Sequence, residues 1–238
     1  MPERRAQRRR KRPDLCDAGE AAWSAARSKR WTVIFGLIPA GGQSRRMGRP
    51  KLLLPLGKRT ILDHVIATIQ EAGIERILVV ATATAPELST VAEAAGATVL
   101  TLPDPTPDMR ATVQIGLRWI EQIWGPADDD CWLLAPADHP ALEATVIFQL
   151  LAAERAGAEH SVFVPTHDGR RGHPTLVRWR HARAIPALPA GEGLNAFFRQ
   201  LVREVREIPM ESPGVLTDLD TPEDYAQLLR DGGYNSMP

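Results

Sequence analysis

Cysteine is scarce in this sequence, and its scarcity argues against two kinds of structure. Among 238 residues only Cys16 and Cys131 are cysteines, so the pattern predicts neither a disulfide framework nor a cysteine-based metal site. Proteins that work under reducing conditions typically have few cysteines and no pairing pattern. We therefore expect a cytoplasmic protein.

Long hydrophobic runs are also missing. No apolar segment approaches the roughly 18 residues that a membrane-spanning helix needs. No apolar stretch follows the basic residues at the start, as it would in a secretory signal. We expect no membrane partner. With 44% hydrophobic residues, the chain is long enough and apolar enough for one large α/β domain, or at most two small ones.

The sequence also has no formal net charge, although its positive and negative residues are unevenly distributed along the chain. Residues 1–30 contain ten Lys or Arg and four Asp or Glu, a balance of +6, and the remaining residues contain 19 against 25, a balance of −6. Blocks of like charge repel one another, so we expect residues 1–30 to be a disordered tail. A nucleic-acid or acidic-partner arm and a misassigned start codon are the alternatives. Residues 31–232 are the predicted folded domain, and its mild acidity argues against nucleic-acid binding.

Beyond the tail, apolar β-prone segments alternate with segments of helical period. Continuous apolar runs such as 131–137 are typical of strands whose two sheet faces are both covered. The alternation predicts βαβ units and an α/β fold with a mostly parallel sheet. Strands are predicted at 31–39, 76–81, 97–100, 131–137, 161–165 and 204–208, and helices at 60–72, 86–95, 111–124, 141–156 and from 222 onward.

The segment between the first strand and the first helix is the most informative part of the chain. Residues 38–51 read Ile-Pro-Ala-Gly-Gly-Gln-Ser-Arg-Arg-Met-Gly-Arg-Pro-Lys. Gly41 and Gly42 tolerate a positive φ and let backbone N–H groups approach a ligand, which favours an anion-binding concavity. Ser44 adds a hydroxyl. Four cations follow within seven residues: Arg45, Arg46, Arg49 and Lys51. A polyphosphate is the expected ligand, and an ordinary basic surface turn is the alternative.

Two common glycine motifs are absent. Gly57-Lys58 lacks the upstream glycine of a Walker A loop, and no Gly-x-Gly-x-x-Gly spacing occurs. Residues 38–51 instead resemble the signature loop of nucleotidyltransferases with the sugar-nucleotide pyrophosphorylase fold. That loop is approximately small-Ala-Gly-x-Ser-x-Arg-Met-Gly followed by Lys. The segment looks most similar to the MobA/MocA-like group, which attaches CMP or GMP to molybdopterin.

The resemblance covers about residues 32–230 and implies a fold and a set of site residues. The implied fold is a single Rossmann-like three-layer domain of the nucleotide-diphospho-sugar transferase type. In that family Arg46 and Lys51 would be catalytic. The residues that would bind the nucleotide are Ala40, Gly41, Gly42, Ser44, Arg46 and Lys51.

Two aspartates are the candidate metal ligands. Asp138 follows the apolar run 131–137, and α/β proteins bind ligands at the carboxyl ends of such strands. The resemblance implies that this Asp-x-Pro aspartate binds Mg²⁺ (or Mn²⁺), while a helix N-cap is the alternative. Residues 216–225 resemble the family's closing Asp-Ile-Asp-Thr-Pro-Glu-Asp segment. There Asp218 and Asp220 alternate along an extended chain and point to the same side, and we prefer Asp220 as the second ligand.

Two further segments resemble the acceptor-binding elements of the family. Residues 169–176 contain Arg-Gly-His-Pro, so His173 is the expected acceptor or nucleotide contact, with a lone histidine in a hairpin loop as the alternative. Residues 191–198 resemble a Gly-Asp-x-Gly-like element, which implies that Glu192 binds the acceptor; a helix start packed by apolar side chains is the alternative. Residues 108–112 occupy the place of the family's base-binding loop, with arginine instead of serine.

These resemblances imply an enzyme that transfers a nucleoside monophosphate from a triphosphate to a small phosphorylated acceptor and releases pyrophosphate. Molybdopterin is the leading acceptor, and contact with a molybdoenzyme or a chaperone is a further expectation. Ala40-Gly41-Gly42 resembles the GTP-using version, but residues 48–56, Arg-Gly-His-Pro and the Asp-Thr-Pro-Glu-Asp ending resemble the CTP-using version, so CTP is favoured. The alternatives are a guanylyltransferase, a sugar-phosphate nucleotidyltransferase, a glycosyltransferase and a regulatory protein that only binds nucleotide.

Overall fold

The computed structural model describes residues 32–42, 44, 46–157, 159–188 and 193–231. The predicted tail, residues 1–30, lies outside these ranges, and so does the predicted acceptor residue Glu192. Within the described ranges, no helix combines the length and the apolar character needed to cross a membrane.

Strands and helices alternate along the described residues, as the sequence pattern predicts. The strands are β1 (Ile34–Pro39), β2 (Pro55–Leu56), β3 (Arg59–Thr60), β4 (Arg76–Thr82), β5 (Thr98–Leu102), β6 (Cys131–Leu134), β7 (Val162–His167), β8 (Arg170–Arg171), β9 (Thr175–Arg178) and β10 (Val205–Pro209). The helices are α1 (Ile61–Glu71), α2 (Pro86–Ala94), α3 (Met109–Trp124), α4 (Ala144–Ala156), α5 (Leu194–Gln200) and α6 (Pro222–Asp231).

The central sheet is mixed but mostly parallel. Its strand order is β10-β7-β9-β6-β1-β4-β5, with β8 paired to β7. β5, β4, β1 and β6 are parallel neighbours, as are β7 and β10, whereas β9 runs antiparallel to both β6 and β7. The predicted α/β fold with a mostly parallel sheet is confirmed. β2 and β3 form a separate hairpin.

Side chains on the two faces of the sheet build two hydrophobic cores. In β1, Phe35 and Leu37 belong to the core that α3 and α5 cover, and Ile38 belongs to the core that α1, α2 and α4 cover. Successive strand residues point to opposite faces, so one strand supplies both cores. Gly116 of α3 allows that helix to approach the sheet closely, because a Cβ there would lie 2.6 Å from Leu37 Cδ1. The result is the three-layer arrangement that the resemblance implied.

Some element boundaries differ from the prediction. The run 131–137 is a strand only over its first four residues, because Pro136 has no N–H with which to extend the ladder. The helix predicted from residue 141 begins at Ala144 with Glu143 as its N-cap, so Asp138 does not cap it. β8, β9 and the β2–β3 hairpin were not predicted, because their segments lack the continuous apolar run that marked β6 and are too short to show an alternating period.

Candidate active site

The loop that follows β1 turns back on itself at Ser44. The φ of Ser44 is +46°, in the left-handed region. Its carbonyl accepts hydrogen bonds from Met47 N (3.1 Å) and Gly48 N (3.2 Å), and its hydroxyl accepts one from Lys51 N (3.2 Å). Ser44 therefore determines where the loop turns and where Lys51 is placed.

The adjacent glycines provide space instead of unusual backbone geometry. The positive φ that we expected at Gly41 or Gly42 is found at Ser44 and Gly48. No described atom lies within 4 Å of the place that a Cβ of Gly42 would take. A Cβ on Gly41 would lie 3.5 Å from the Thr82 side chain, which is ordinary contact. Gly42 thus leaves open room beside the loop, while Gly41 packs against the end of β4.

Lys51 connects three separate parts of the chain. Its ammonium donates to Asp138 Oδ2 (2.7 Å), to the Leu219 carbonyl (2.7 Å) and to Asp220 Oδ1 (3.0 Å). Only 13% of the Lys51 side chain is exposed. Burial alone would lower the pKa of Lys51, but the carboxylates of Asp138 and Asp220 outweigh burial and raise that pKa above its ordinary value. The side chain is therefore a cation at neutral pH.

Asp220 is held from two sides. Its Oδ2 accepts a hydrogen bond from the Arg46 guanidinium at 2.6 Å. The backbone N–H groups of Asp220 and Thr221 donate to the Asp224 carboxylate at 3.0 and 2.7 Å. Burial alone would raise the pKa of Asp220, but Lys51 and Arg46 lower it below its ordinary value. Since 71% of the Arg46 side chain is exposed, its ion pair adds little stability, and the guanidinium can turn toward a ligand at small cost.

A cavity of about 300 Å³ opens beside these groups. Every described residue that the sequence assigned to the nucleotide or to a metal lines this cavity, except Gly41. Asp218, the second choice for a metal ligand, is exposed and is not one of the lining residues. The structure therefore brings Asp138 and Asp220 together at the glycine loop and leaves Asp218 outside.

The two carboxylates suit a hard divalent cation. Asp138 and Asp220 each place an oxygen within 3.0 Å of the Lys51 nitrogen, so they face the same point. Mg²⁺ usually takes one or two carboxylates and completes its coordination with water and phosphate oxygens. The described part of the chain has no cluster of three or more His, Cys, Asp or Glu that would hold a metal by itself. The donor set therefore fits Mg²⁺ or Mn²⁺ shared between the protein and a phosphate ligand.

A second and larger pocket, of about 610 Å³, surrounds the predicted acceptor segment. His173 lines it together with Gly172 and Thr175. The backbone N–H of His173 donates to the Val215 carbonyl (2.8 Å), which ties this segment to the turn before Asp220. The prediction for Glu192 stays untested because that residue lies outside the described ranges. The helix start expected near it is present as α5, which begins at Leu194.

The imidazole of His139, which is buried, contacts that of His173, which is half-buried and lines the larger pocket. His139, the neighbour of Asp138, packs edge-on against His173 with ring centroids 5.0 Å apart. Burial lowers the pKa of His173 to about 4, and it also lowers the pKa of His139. Both rings are neutral at pH 7. The Nδ1 atom of each is buried and has no hydrogen-bond partner in the part of the chain that the structure describes.

The free energy of unfolding is expected to decrease as the pH falls from about 6.5 to about 4. The pKa of His173 is lower when folded than when unfolded, so the unfolded chain binds the proton more readily in this window and acid favours unfolding. His173 alone contributes up to about 3 kcal/mol of this loss. Urea denaturation at pH 7, 6, 5 and 4 measures it. The His173→Gln variant cannot titrate there, so an unchanged pH slope in that variant would contradict the prediction.

Gly172 is expected to be intolerant of a side chain. A Cβ at this position would lie 2.2 Å from the Val215 carbonyl oxygen, so Gly172→Ala must displace the segment that leads to Asp220. We expect the free energy of unfolding to fall by about 2 kcal/mol, measured by urea denaturation. Gly42→Ala is the matched control, because its Cβ would meet no described atom within 4 Å. Equal losses in the two variants would show that the close approach is unimportant.

Three parts of this site were missed by sequence reasoning. The Leu219 carbonyl could not have been found, since any residue supplies a carbonyl. Asp224 was recognised only as part of a motif, although Thr-x-x-Asp at 221–224 is a capping pattern that predicts its backbone hydrogen bonds. Arg199, which lines the larger pocket, lies on a short helix where no local spacing marks it.

Comparison with known proteins finds both nucleotidyltransferases and an oxidoreductase among the relatives of this chain. The chain is 30% identical over 217 residues to phosphoenolpyruvate guanylyltransferase of Rubrobacter xylanophilus, covering 86% of this chain and 98% of that protein. It is 26% identical over 195 residues to molybdenum cofactor cytidylyltransferase of Escherichia coli, covering 82% and 94%. It is also 26% identical over 202 residues to nicotine blue oxidoreductase of Paenarthrobacter nicotinovorans, covering 82% and 96%.

A solved structure shows the same fold. The crystal structure of Rv0371c from Mycobacterium tuberculosis H37Rv in complex with manganese superposes with a TM-score of 0.68 at 21% identity, covering 84% of this chain and 100% of that one. Residues 36–205 match the family model described as the MobA-like NTP transferase domain. This match spans more than half of the sequence and confirms the resemblance carried by the glycine loop. The chain belongs to the MobA-like NTP transferase family.

Proposed function

We propose that this transferase moves a nucleoside monophosphate, CMP in the favoured case, from its triphosphate to the phosphate group of molybdopterin and releases pyrophosphate in the cytoplasm. The observation that carries the proposal is the position of Lys51. Its ammonium lies at the rim of the glycine loop and bonds to two carboxylates from distant parts of the chain, Asp138 and Asp220. A positive charge between two carboxylates, beside a cavity lined by loop backbone, suits a polyphosphate with its cation.

The glycine loop is the proposed site of the β- and γ-phosphates. Backbone N–H groups near Gly42, the Ser44 hydroxyl and the exposed Arg46 guanidinium are the donors available there. When bound, a Mg²⁺ or Mn²⁺ ion at Asp138 and Asp220 would supply positive charge against the phosphate oxygens. A triphosphate that enters the cavity competes with Asp220 for both Arg46 and Lys51, so these two cations can turn from the carboxylate to the ligand.

The transfer step needs positioning and charge stabilisation more than proton transfer. The new bond joins an acceptor phosphate oxygen to the α-phosphorus. The bond that breaks joins that phosphorus to the oxygen leading to the β-phosphate, which leaves with the electron pair as pyrophosphate. Lys51 donates to the α-phosphate oxygens as negative charge develops on them. The attacking phosphate is already ionised at neutral pH, so the neutral His173 serves as an acceptor contact and not as a general base.

The choice of nucleotide and acceptor rests on resemblance. The CTP-like loop residues 48–56 and the Arg-Gly-His-Pro element favour CTP and molybdopterin, in line with the cytidylyltransferase of Escherichia coli. A guanylyltransferase is the second candidate, because Ala40-Gly41-Gly42 resembles the GTP-using version and a relative at 30% identity is named phosphoenolpyruvate guanylyltransferase.

Release of pyrophosphate tests this proposal. The full chain is incubated with Mg²⁺ and each of the four common ribonucleoside triphosphates, with molybdopterin, with phosphoenolpyruvate and without acceptor. We expect release from CTP that depends on molybdopterin. The Asp138→Ala variant should lose it. Asp129→Ala, an exposed aspartate whose side chain does not line the cavity, should keep it.

Other outcomes change the proposal in defined ways. Release from GTP alone would exchange the nucleotide, and release with phosphoenolpyruvate alone would exchange the acceptor. Tight binding of one triphosphate without release to any acceptor would favour a regulatory nucleotide-binding protein. Neither binding nor release would overturn the transferase proposal.

A further inference from the structure

The larger pocket is rich in arginine. Arg110 at the start of α3, Arg171 in β8 and Arg199 on α5 all line it, and Asp108 is the one carboxylate among its described lining residues. These residues are far apart in sequence, so only the fold brings their charges to one pocket. A concentration of guanidinium groups around one cavity creates a positive local potential.

The partners of these arginines differ. Arg171 donates to Glu207 at 2.7 Å, and its charge is therefore largely balanced. Arg110 donates to the Leu188 carbonyl (3.3 Å) and lies 3.8 Å from Asp108. Arg199 is exposed and forms no ion pair with any residue that the structure describes. Asp108 in turn accepts a hydrogen bond from the backbone N–H of residue 111 as the cap of α3.

Much of the remaining wall is apolar. Leu134 and Val164 contribute from the sheet, and Leu194 and Phe198 contribute from α5. A volume of about 610 Å³ is within the usual range for small-molecule sites, which combine an apolar lining with a few placed polar groups. The pocket therefore offers hydrophobic contact to the body of a ligand and guanidinium donors to its charged ends.

We propose that this pocket selects an acceptor with two separate anionic groups on an apolar or aromatic body, and that Arg110 and Arg199 recognise the anionic group that does not react. The inference rests on the proposed function, since the other anionic group is the attacking phosphate. Guanidinium groups only donate hydrogen bonds and match oxyanions in a bidentate manner. A sugar phosphate also has hydroxyl groups, which need hydrogen-bond acceptors. Among the described residues that line the pocket, Asp108 is the single carboxylate. Arg110 and Arg199 are thus specificity-determining residues.

A pair of matched probes tests the proposal without nucleotide or metal. Phenyl phosphate and 4-carboxyphenyl phosphate share one aromatic body and one phosphate, and they differ only in the second anionic group. Calorimetric titration of the full chain should show that the carboxylated probe binds about tenfold to a hundredfold more tightly, as expected for a charge-assisted hydrogen bond. Glucose 1-phosphate should bind more weakly than either.

Variants of Arg199 test whether this residue causes the preference for the carboxylated probe. In Arg199→Ala the ratio of the two affinities should fall to within about twofold. Arg199→Lys keeps the charge but not the bidentate geometry, so it should fall between Arg199→Ala and the unchanged protein. Arg110→Ala should also lower the ratio. Arg203→Ala removes an exposed arginine that does not line the pocket and should leave the ratio unchanged.

The outcomes separate this inference from the proposed function. Four results would each overturn the two-anion acceptor. They are equal affinity for the two probes, no binding of either probe, tighter binding of glucose 1-phosphate, and an unchanged ratio of the two affinities in Arg199→Ala. Binding of CTP and GTP, titrated separately on the same protein, tests the transferase proposal. A chain that binds no triphosphate but prefers the carboxylated probe would refute the proposed function and retain an arginine-lined dianion site.

Discussion

Replacing Lys51 with alanine is expected to slow nucleotidyl transfer by about a hundredfold to a thousandfold. Enzymes lose about this much rate when one preorganised hydrogen-bond donor to a developing negative charge is removed. The fold should survive. Asp138 and Asp220 keep 29% and 28% of their side chains exposed, so water can replace the ammonium, and we expect a loss of only about 2 kcal/mol in the free energy of unfolding. Pyrophosphate release under saturating substrates and urea denaturation measure the two quantities.

A second measurement on the same variant separates a direct role of Lys51 from a structural one. Without nucleotide, the ammonium competes with any divalent cation for the two carboxylates, so its removal should tighten Mn²⁺ binding about fivefold. Electron paramagnetic resonance of free Mn²⁺ measures this affinity. Lys58→Ala, which removes an exposed lysine from the β2–β3 turn, should change neither rate nor affinity. Weaker Mn²⁺ binding in Lys51→Ala would contradict the arrangement described for the site.

Replacing either Asp138 or Asp220 with asparagine is expected to reduce metal-dependent transfer at least about a hundredfold. The size of each side chain is preserved, but the negative charge that binds Lys51, and that would hold a divalent cation under the proposed function, is lost. Asp218→Asn is the sharpest control, because Asp218 lies two residues from Asp220, is exposed and does not line the cavity. Its transfer rate should stay within about threefold of that of the unchanged protein.

Steady-state rates at several Mg²⁺ concentrations make this comparison quantitative. In the asparagine variants of Asp138 and Asp220, excess Mg²⁺ should restore part of the rate if the loss is one of metal affinity. A large loss in Asp218→Asn together with a small loss in Asp220→Asn would reverse the assignment of the second ligand. It would also show that Asp220 serves only to hold Arg46 and Lys51.

Much of the fold could be predicted because it depends on local patterns. The apolar spacing of α1, with Thr60 accepting from Asp63 N at its start, predicts the helix from its own sequence. The continuous apolar run of β4 indicates a strand covered on both faces. β9 was missed because its antiparallel place between β6 and β7 depends on pairing with residues far away in sequence. Nothing in its four residues specifies those partners.

The residues of the candidate site also divide into those that local patterns predict and those that only tertiary contacts determine. The glycine loop and Asp138 could be recognised because each belongs to a short motif with a physical reason for its residue types. Spacing alone did not separate Asp218 from Asp220, since both alternate on the same extended segment. The separation comes from tertiary contacts, in which Lys51 reaches Asp220 and the carbonyl of Leu219. The arginines of the larger pocket were beyond prediction because they come from three different elements.

The long range of the Lys51 contacts bears on the order in which the proposed site is completed during synthesis of the chain. Lys51 and Asp220 are 169 positions apart, and Arg46 and Asp220 are 174 apart. The ribosome therefore releases the glycine loop long before the second carboxylate exists, and contacts of such long range are slow to form. Residues 36–205, which define the family match, do not include Asp220. A nascent chain that has not reached residue 220 has the loop without the second carboxylate, so under the proposed function we expect transfer only after nearly the whole domain has been made.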